Sequence, residues 1–399
     1  MAVLWLICRG SKRQSVGIPH SENKTSFAVL IPARYESRVI ETNLMALEKL
    51  DYPKDKIYTY VIVEDMSDPT VEICRKYENT EVFLRTNLEN EGKGHALDEC
   101  VRYVLGLEKK YDAFMVLDAD NVVSPDFFTK MSDAYQAGYE ATCGRRDNKD
   151  WNGSWVCSTS CLIFTAINSV QNKKRASLGT SITFTGTGFY VATHVLEKLG
   201  GWKFFSLTED YEFSTYAMCN DVKTYYIDDA VYFDEQPHTL GQSIKQRTRW
   251  IKGYFAVRFG YRRAKREYAR THPKSKNIAL MRLGSLPLLA GAIDIIAYLI
   301  FSIVGLIVSA AVQNGYIGYF LVRSCALFAL IYVILMIVTV WLLAVEGKRI
   351  NMSKRSKVRA VLVHPLYLLT YVIAAVRALF TKKKWEVIEH VSATEVSDA

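Results

Sequence analysis

The sequence predicts an α/β domain with a parallel, doubly wound sheet, followed by an apolar helical region. The first observation is a regular alternation of short apolar runs and amphipathic segments over residues 27–117, which is typical of such a sheet. The second is that acidic residues directly follow two of the predicted strands, at Asp65 and at Asp118 with Asp120. The third is a nearly uncharged stretch, 278–345, that is long enough for membrane-spanning helices.

Four strands and three helices are predicted in the first part of the domain. Each strand is a short apolar run, and each helix is a longer segment between turn residues. In chain order they are a strand at 27–31, a helix at 37–50, a strand at 57–63, a helix at 69–77, a strand at 82–84, a helix at 95–107 and a strand at 113–117. Open α/β sheets bind ligands at the carboxyl ends of their strands, so we expect the acids there to face a ligand.

The last of these strands runs directly into Asp118 and Asp120. Two carboxylates one residue apart repel each other unless a cation lies between them, and a divalent cation carrying a phosphate-bearing ligand would fit. A solvated turn after a strand is an equally good explanation of Asp-x-Asp alone. Other motifs in the domain are therefore needed to decide between a cation site and a solvated turn.

Three further motifs lie in the second half of the domain. Residues 184–188 form a loop of mostly small residues, so a ligand can come close to its backbone. The loop lacks the lysine of a phosphate-binding P-loop. Glu209 and Asp210 follow a predicted turn. Residues 246–250 place two arginines and a tryptophan within one and a half helical turns, where cations can hold a pyrophosphate and an indole can stack on a sugar ring.

Residues 155–170 are apolar on most sides, and Lys173, Lys174 and Arg175 follow them. This pattern fits a helix in the protein core. It fits an amphipathic helix at a bilayer surface equally well.

The C-terminal third predicts membrane helices. A long apolar run with Pro287 and Asp294 ends near Val312, and a second span is expected at 317–345. The loop at 346–359 is rich in lysine and arginine, which places it in the cytoplasm by the positive-inside rule. The run at 361–380 has basic residues at both ends, so we expect a re-entrant or interfacial helix rather than a third span.

Composition excludes other classes of protein. The formal charge of +9 comes from basic clusters beside apolar runs, which indicates contact with anionic lipid and not a nucleic-acid-binding face. The eight cysteines contain no CxxC pair, which indicates reduced thiols in a cytosolic domain. Residues 1–7 are apolar but too short to cross a bilayer, so we expect the end of a helix that begins upstream.

In order and spacing, the motifs Asp118-x-Asp120, Thr208-Glu209-Asp210 and Gln246-x-x-Arg249-Trp250 resemble the membrane-embedded, processive family 2 glycosyltransferases. These are the cellulose, chitin, hyaluronan and mixed-linkage β-glucan synthases. The resemblance covers about 27–260 by motif and 280–390 by hydropathy, and residues 385–390 look like the end of bacterial members. It implies a GT-A (Rossmann-like) cytosolic domain with amphipathic interface helices, plus a transmembrane region. The corresponding division is a membrane-proximal stub at 1–26, the glycosyltransferase domain at 27–277, transmembrane or interface helices at 278–380 and a basic cytosolic tail at 381–399.

The resemblance also implies roles for individual residues. Asp210 matches the catalytic base, with Glu209 beside it in the same motif, and Asp120 matches the direct metal ligand. Asp118 matches the acid near the ribose and the metal. The expected contacts of the nucleotide are Pro32, Ala33, Glu36, Asp65 and Lys93. The expected positions around the acceptor and the diphosphate are Thr187, Gly188, Gln246, Arg247, Arg249 and Trp250. Many members have two aspartates at the end of the second strand, and here the first is Glu64, which puts its role in doubt more than that of Asp65.

The implied reaction is inverting transfer from a UDP-sugar, with Mg²⁺ or Mn²⁺, onto a growing polysaccharide that leaves through the membrane helices. UDP-glucose and a β-glucan are the first expectation. Transfer of a single sugar to a membrane lipid, and a hyaluronan- or chitin-like synthase using UDP-GlcNAc, are the alternatives. The implied location is a plasma membrane, with several spans in the lipid bilayer and the catalytic domain in the cytoplasm.

Overall fold

The computed structural model describes residues 17–280, 301–312 and 316–381. Its strands are β1 Phe27–Pro32, β2 Ile57–Val63, β3 Thr80–Leu84, β4 Ala113–Val116, β5 Val122–Val123, β6 Ala141–Asn148, β7 Phe189–Ala192 and β8 Thr224–Asp234. Its helices in the first 280 residues are α1 Ile40–Glu48, α2 Pro69–Cys74, α3 Lys93–Gly106, α4 Phe127–Gln136, α5 Trp155–Ala166, α6 Lys173–Ser177, α7 Thr193–Leu199, α8 Glu209–Cys219, α9 Leu240–Gly260 and α10 Arg262–Thr271. The later helices are α11 Phe301–Val312, α12 Ile317–Glu346 and α13 Lys354–Phe380.

The strands form one eight-stranded sheet in the order β3-β2-β1-β4-β7-β6-β8-β5. The predicted parallel arrangement is correct for β3, β2, β1 and β4. The predicted alternation ends at β4, and in the second half of the domain β7 pairs antiparallel with both β4 and β6. The strand β8 returns parallel to β6 and antiparallel to β5. The sheet is therefore mixed, and β8 brings a distant part of the chain to the edge where β4 ends.

The core lies on both faces of this sheet. Phe27, Val29 and Ile31 face one cluster with α1 and α4, while Ala28 and Leu30 face the other with α3 and α8. Alternate side chains of a strand point to opposite faces, so a strand covered on both sides is apolar throughout, as β1 is. This explains why β1, β2 and β4 could be predicted as apolar runs, whereas β3 lies half-exposed at the edge of the sheet.

The helix α5 is buried on most sides, and a π-helical segment, Ile167–Asn172, extends it. Its Cys157, Cys161 and Leu162 pack with Leu342 of α12 and Met352 of the following loop. The core interpretation of this segment therefore agrees with its burial in the structure. All described cysteines are free thiols.

The loop between α12 and α13 is attached to the catalytic domain by polar contacts. Arg349 donates two hydrogen bonds to Asp228 of β8, at 2.9 and 2.7 Å. Asn152 contacts the same loop through the carbonyl of Asn351 and the backbone N–H of Ser353. The α12–α13 hairpin is thus packed directly on the sheet-bearing domain.

Both α12 and α13 are long and apolar enough to cross a membrane, which is weak evidence for membrane association when taken alone. The span predicted at 317–345 is a continuous helix. The run at 361–380 lies in a second continuous helix that begins at Lys354 and contains Pro365, so the break of a re-entrant segment is absent from it. Tyr332 donates to the carbonyl of Leu362 at 2.6 Å, which supplies a partner to one of the carbonyls beside the proline ring.

Several expectations fall outside the described residues. These are the apolar segment at 1–7, the region of Pro287 and Asp294, and the tail at 385–390. The division of the chain into four domains stays a prediction.

Candidate active site

A cavity of about 570 Å³ lies at the carboxyl ends of β1, β4 and β8 and is bounded by α8 and α9. Of the residues predicted from the sequence, those that line it are Pro32, Ala33, Glu36, Lys93, Asp118, Asp120, Glu209, Asp210, Gln246, Arg249 and Trp250. Residues separated by more than 200 positions therefore share one cleft.

Three carboxylates meet at one side of the cavity. Oxygen atoms of Asp118, Asp120 and Asp234 lie within 4.8 Å of one another. Asn121 holds two of these groups, donating to Asp234 at 2.9 Å and to Asp120 at 3.3 Å. Arg146 donates to Asp234 at 2.9 Å. An all-oxygen set of this kind suits Mg²⁺ or Mn²⁺.

The electrostatics of the acid cluster agree with a cation site. Burial raises the pKa of Asp234 to about 7; Arg146 opposes this rise and the charge of Asp120 adds to it. Three crowded carboxylates thus repel one another, and a divalent cation among them would relieve the repulsion.

Lys93 connects the acid cluster to the small-residue loop. Its ammonium forms an ion pair with Asp118 and donates to the carbonyl of Gly186 at 2.7 Å. Burial would lower the pKa of Lys93, but the charges of Asp118 and Glu209 hold it above its ordinary value. The lysine is therefore a fixed cation inside the cavity.

Glu209 and Asp210 occupy the first turn of α8, where the helix dipole favours negative charge. Burial raises the pKa of both groups, and the charge of Asp210 adds to the effect on Glu209. Lys93 and Arg249 oppose the rise at Asp210. A carboxylate with a raised pKa in a cleft has the properties of a general base.

The helix α9 supplies the opposite wall. It begins with a capping box made by Thr239 and Gln242, and it projects Gln246, Arg249 and Trp250 into the cavity. The Nε atom of Arg249 is buried and has no hydrogen-bond partner among the described residues. An unsatisfied buried cationic donor is costly, so this atom fits the place of an anionic ligand.

The end of the cavity near β2 differs from the expectation for Asp65. Glu64 lines the cavity, and it pairs with Arg34 at 3.1 Å and Arg85 at 2.7 Å. The carboxylate of Asp65 instead accepts hydrogen bonds from Ser67 and lies outside the cavity lining. Of these two adjacent acids, Glu64 faces the cavity and Asp65 does not.

Thr187, Gly188 and Arg247 also lie outside the cavity lining. Thr187 is buried beneath the acid cluster, where its Oγ1 accepts from the backbone N–H of Asp118 at 2.9 Å. Gly188 packs on Tyr232 with a φ of +66°. These two residues therefore support the loop from below, and Arg247 is buried against α13.

Sequence reasoning missed several residues of the cavity. The most important is Asp234, which ends β8 directly after an apolar strand residue and so carries the same signal that identified Asp118. The other polar and aromatic residues that were missed include Arg34, Arg85, Glu91, His95, Arg146, Phe164, Phe205, Ser206, Tyr211, Glu235, Gln236, His238, Gln242 and Tyr254.

The family model described as "Glycosyltransferase like family 2" matches residues 24–253, which is more than half of the chain. The chain belongs to this family. The motifs predicted from the sequence lie inside the matched region.

Curated relatives of this family 2 glycosyltransferase are similar over the same region. One is a probable glycosyltransferase, YdaM, of Bacillus subtilis, which is 29% identical over 58% of this chain and 56% of its own. Another is a poly-β-1,6-N-acetyl-D-glucosamine synthase of Staphylococcus epidermidis, 26% identical over 56% of this chain and 53% of its own. A third is a probable glucomannan 4-β-mannosyltransferase of Arabidopsis thaliana, 24% identical over 61% of this chain and 47% of its own. The match spans about half the length of these relatives.

Among solved structures, the chain resembles a mannosyltransferase from Pyrobaculum calidifontis in complex with GDP-mannose and Mn²⁺. The TM-score is 0.54 at 17% identity, and the match covers 94% of this chain and 95% of that one. This likeness shows the fold alone, which is the predicted GT-A fold; the two apolar C-terminal helices are those of this chain's own structure.

Proposed function

We propose that this glycosyltransferase transfers a hexose from a UDP-sugar, with inversion, onto a growing β-linked polysaccharide at a membrane. The observation that carries the proposal is that Asp210, the Asp118–Asp120–Asp234 cluster and the unpartnered Nε of Arg249 lie in one cavity. A base, a cation site and a binder of diphosphate are the groups that such a transfer requires.

The donor would lie along the strand ends. Pro32, Ala33 and Glu36 form the wall beside β1, and Glu64 with its two arginines closes that end of the cavity. The diphosphate would lie between the acid cluster and Arg249. Mg²⁺ or Mn²⁺ would be held by Asp118, Asp120 and Asp234. When bound, the cation would neutralise the negative charge that builds up on the departing UDP. Lys93 and Arg249 add fixed positive charge at the same place.

Asp210 would act on the acceptor. It removes the proton from the attacking hydroxyl as the new bond to the anomeric carbon forms and the bond from that carbon to the UDP oxygen breaks. The electron pair of the broken bond leaves on UDP. Attack from the face opposite an α-linked UDP converts the configuration at the anomeric carbon to β. Trp250 and Gln246 line the cavity where the acceptor sugar would bind.

The membrane part of the proposal rests on α12 and α13, which are long enough to span a bilayer, and on the basic residues between and around them. The basic loop would face the cytoplasm with the catalytic domain, as the contact of Arg349 with Asp228 requires. The protein would then be a multi-pass protein of a plasma membrane, and its product would leave along these helices. UDP-glucose is our first choice of donor.

A second candidate is the transfer of one sugar to a membrane lipid, since the same cavity and the same two helices serve that reaction. UDP-GlcNAc is the alternative donor, because a curated relative is a poly-β-1,6-N-acetyl-D-glucosamine synthase. The length of the product distinguishes polymerisation from transfer of one sugar to a lipid. The donor assay distinguishes UDP-glucose from UDP-GlcNAc.

The experiment uses the full chain in nanodiscs with Mn²⁺ and a panel of UDP-glucose, UDP-GlcNAc and GDP-mannose. Release of the nucleoside diphosphate identifies the donor, and chromatography with linkage-specific glucanases identifies the product. We expect UDP release from UDP-glucose and a polymer that the glucanases digest. If the product is a lipid that carries one sugar, the second candidate is correct and polymerisation is not. If only GDP is released, the donor is not a UDP-sugar.

A further inference from the structure

Three half-buried cations lie beside two tyrosines that line the cavity. The cations are Arg175 of α6, Arg258 of α9 and Lys265 of α10, and the tyrosines are Tyr211 and Tyr254. Within residues 17–280, none of the three cations forms an ion pair with a carboxylate. Their recorded contacts are a carbonyl, a tyrosine hydroxyl and a ring face. We call these three residues the basic cluster.

The geometry joins the basic cluster to the cavity. The rings of Tyr211 and Tyr254 lie 5.3 Å apart, with their planes tilted by 34°. The ammonium of Lys265 is 6.0 Å from the centre of the Tyr211 ring, and Nη1 of Arg258 is 3.5 Å from the hydroxyl of Tyr254. Tyr211 is also the residue after Asp210. A group held against these tyrosines would therefore border the cavity that contains Asp210.

The charges at this place are not balanced by the protein. Burial lowers the pKa of Arg175 and of Lys265. At Lys265, Cys219 opposes this fall and the charge of Arg258 adds to it. Burial raises the pKa of Tyr211 to about 12, and Arg175 and Arg258 both oppose the rise. Partly desolvated cations that repel one another become more stable when an anion binds among them.

The donor does not account for this cluster. The diphosphate already has the acid cluster with its cation site, Lys93 and Arg249, all of which line the cavity. No member of the basic cluster lines the cavity, whereas Arg258 and Lys265 contact the two tyrosines that do. Arginine and lysine bind phosphate through charge-assisted hydrogen bonds, and an aromatic face beside them offers a surface on which a sugar ring can pack.

We propose that Arg175, Arg258 and Lys265 bind a phosphate group on the acceptor, whose adjoining sugar or polyol lies against Tyr211 and Tyr254. The word acceptor rests on the transferase activity proposed above, whereas the phosphate site itself can be measured without turnover. The phosphate belongs either to a lipid head group or to a soluble glycan phosphate. The chemistry that recognises it is the same in both cases.

The test uses the full chain in detergent, with UDP and Mn²⁺ at saturation so that the donor site is filled. Two pairs of probes are titrated by calorimetry: glucose 6-phosphate against glucose, and dihexanoylphosphatidic acid against dihexanoylglycerol. We expect at least one phosphate-bearing probe to bind about tenfold or more tightly than its neutral partner, as charge-assisted hydrogen bonds allow. Tighter binding of the lipid probe or of the sugar phosphate identifies the source.

The variants compare two pairs of cations of equal charge. Arg258→Gln with Lys265→Gln should abolish the preference for phosphate, while Arg263→Gln with Arg266→Gln, which are exposed on α10, should leave it within about twofold. Arg258→Lys with Lys265→Arg keeps the charges and should retain most of the binding. UDP binding in Mn²⁺ reports folding in each case.

The proposal is wrong if neither phosphate probe binds the unmodified protein better than its neutral partner, or if the exposed pair matters as much as the cluster. These outcomes differ from a failure of the proposed function. That failure would appear as absent UDP binding or absent UDP release in the unmodified protein, before any phosphate probe is added.

Discussion

The guanidinium of Arg247 lies 4.3 Å from the centre of the Tyr367 ring, which joins the catalytic helix α9 to the C-terminal helix α13. The side chain is fully buried, donates to the carbonyl of Tyr367 at 3.3 Å and also faces Tyr371. Ser243, one turn earlier, bonds to the hydroxyl of Tyr367 at 2.6 Å. One face of α9 therefore holds α13 while the other lines the cavity.

Arg247→Ala should destabilise the protein without removing a ligand contact. We expect a loss of about 2–4 kcal/mol in the free energy of unfolding, because the change leaves a cavity and removes two cation–π contacts. UDP affinity in Mn²⁺ should stay within about twofold of that of the unmodified protein. Arg249→Ala, two residues away, should show the reverse pattern. Thermal unfolding measures the stability and calorimetry in detergent measures the UDP affinity. A large loss of UDP affinity in Arg247→Ala but not in Arg249→Ala would show that Arg247 contributes to UDP binding.

Asp210→Asn should keep the fold and UDP binding but lose transfer by about 10² or more, the usual contribution of a positioned base. The amide has nearly the same shape as the carboxylate but cannot accept the proton. UDP release under saturating donor and acceptor measures the effect. Near-normal turnover in this variant would exclude Asp210 as the base.

Asp234→Ala should weaken UDP binding in Mn²⁺ by roughly 10- to 100-fold, the scale found when metal sites lose a supporting group. The matched control is Asp228→Ala, which removes a half-buried acid of β8 that pairs with Lys173 and Arg349 outside the cavity. The control should change stability and not the Mn²⁺ dependence. If the two variants bind UDP with equal affinity in Mn²⁺, Asp234 has no part in the cation site. Asp120→Ala should behave as Asp234→Ala does.

The rate of transfer should fall in acid, and the fall should begin at a higher pH than the ordinary pKa of an aspartate would give. The base acts only when it is ionised, and burial raises the pKa of Asp210 and brings that of Glu209 to about 7. Because each carboxylate repels the other, Glu209→Gln should move the acidic limb of the profile to lower pH. The measurement is the pH dependence of kcat in the two proteins. An acidic limb at the pH of an ordinary aspartate would contradict the assignment.

Gly94→Ala should destabilise the cavity wall. A Cβ at this position would lie 2.1 Å from the carbonyl oxygen of Phe204, a backbone atom that cannot move aside. The same change at Gly106, in the last turn of α3, meets nothing within 4 Å and should be neutral or stabilising by up to about 1 kcal/mol. Thermal unfolding of the pair separates the steric effect from helix propensity. Equal stability of the two variants would show that α3 can shift away from Phe204.

The sequence by itself determined the parallel half of the sheet and the acids at its mouth. The strands β1, β2 and β4 are covered on both faces, so they are continuous apolar runs, and Asp118 and Asp120 stand directly at the end of the last one. Local chemistry also identified the helix that carries Arg249 and the two long apolar helices. Each of these signals is contained in a stretch shorter than about 30 residues.

Tertiary structure alone decided which members of each motif face the ligand. Asp234 reaches the acid cluster because β8 inserts beside β6, more than 100 residues after Asp120. Glu64 rather than Asp65, and Arg249 rather than Arg247, line the cavity because of how β2 pairs and how α9 packs between the cavity and α13. The physical reason is that a periodic pattern specifies the faces of a strand or helix, whereas the contacts made by distant elements determine what each face meets.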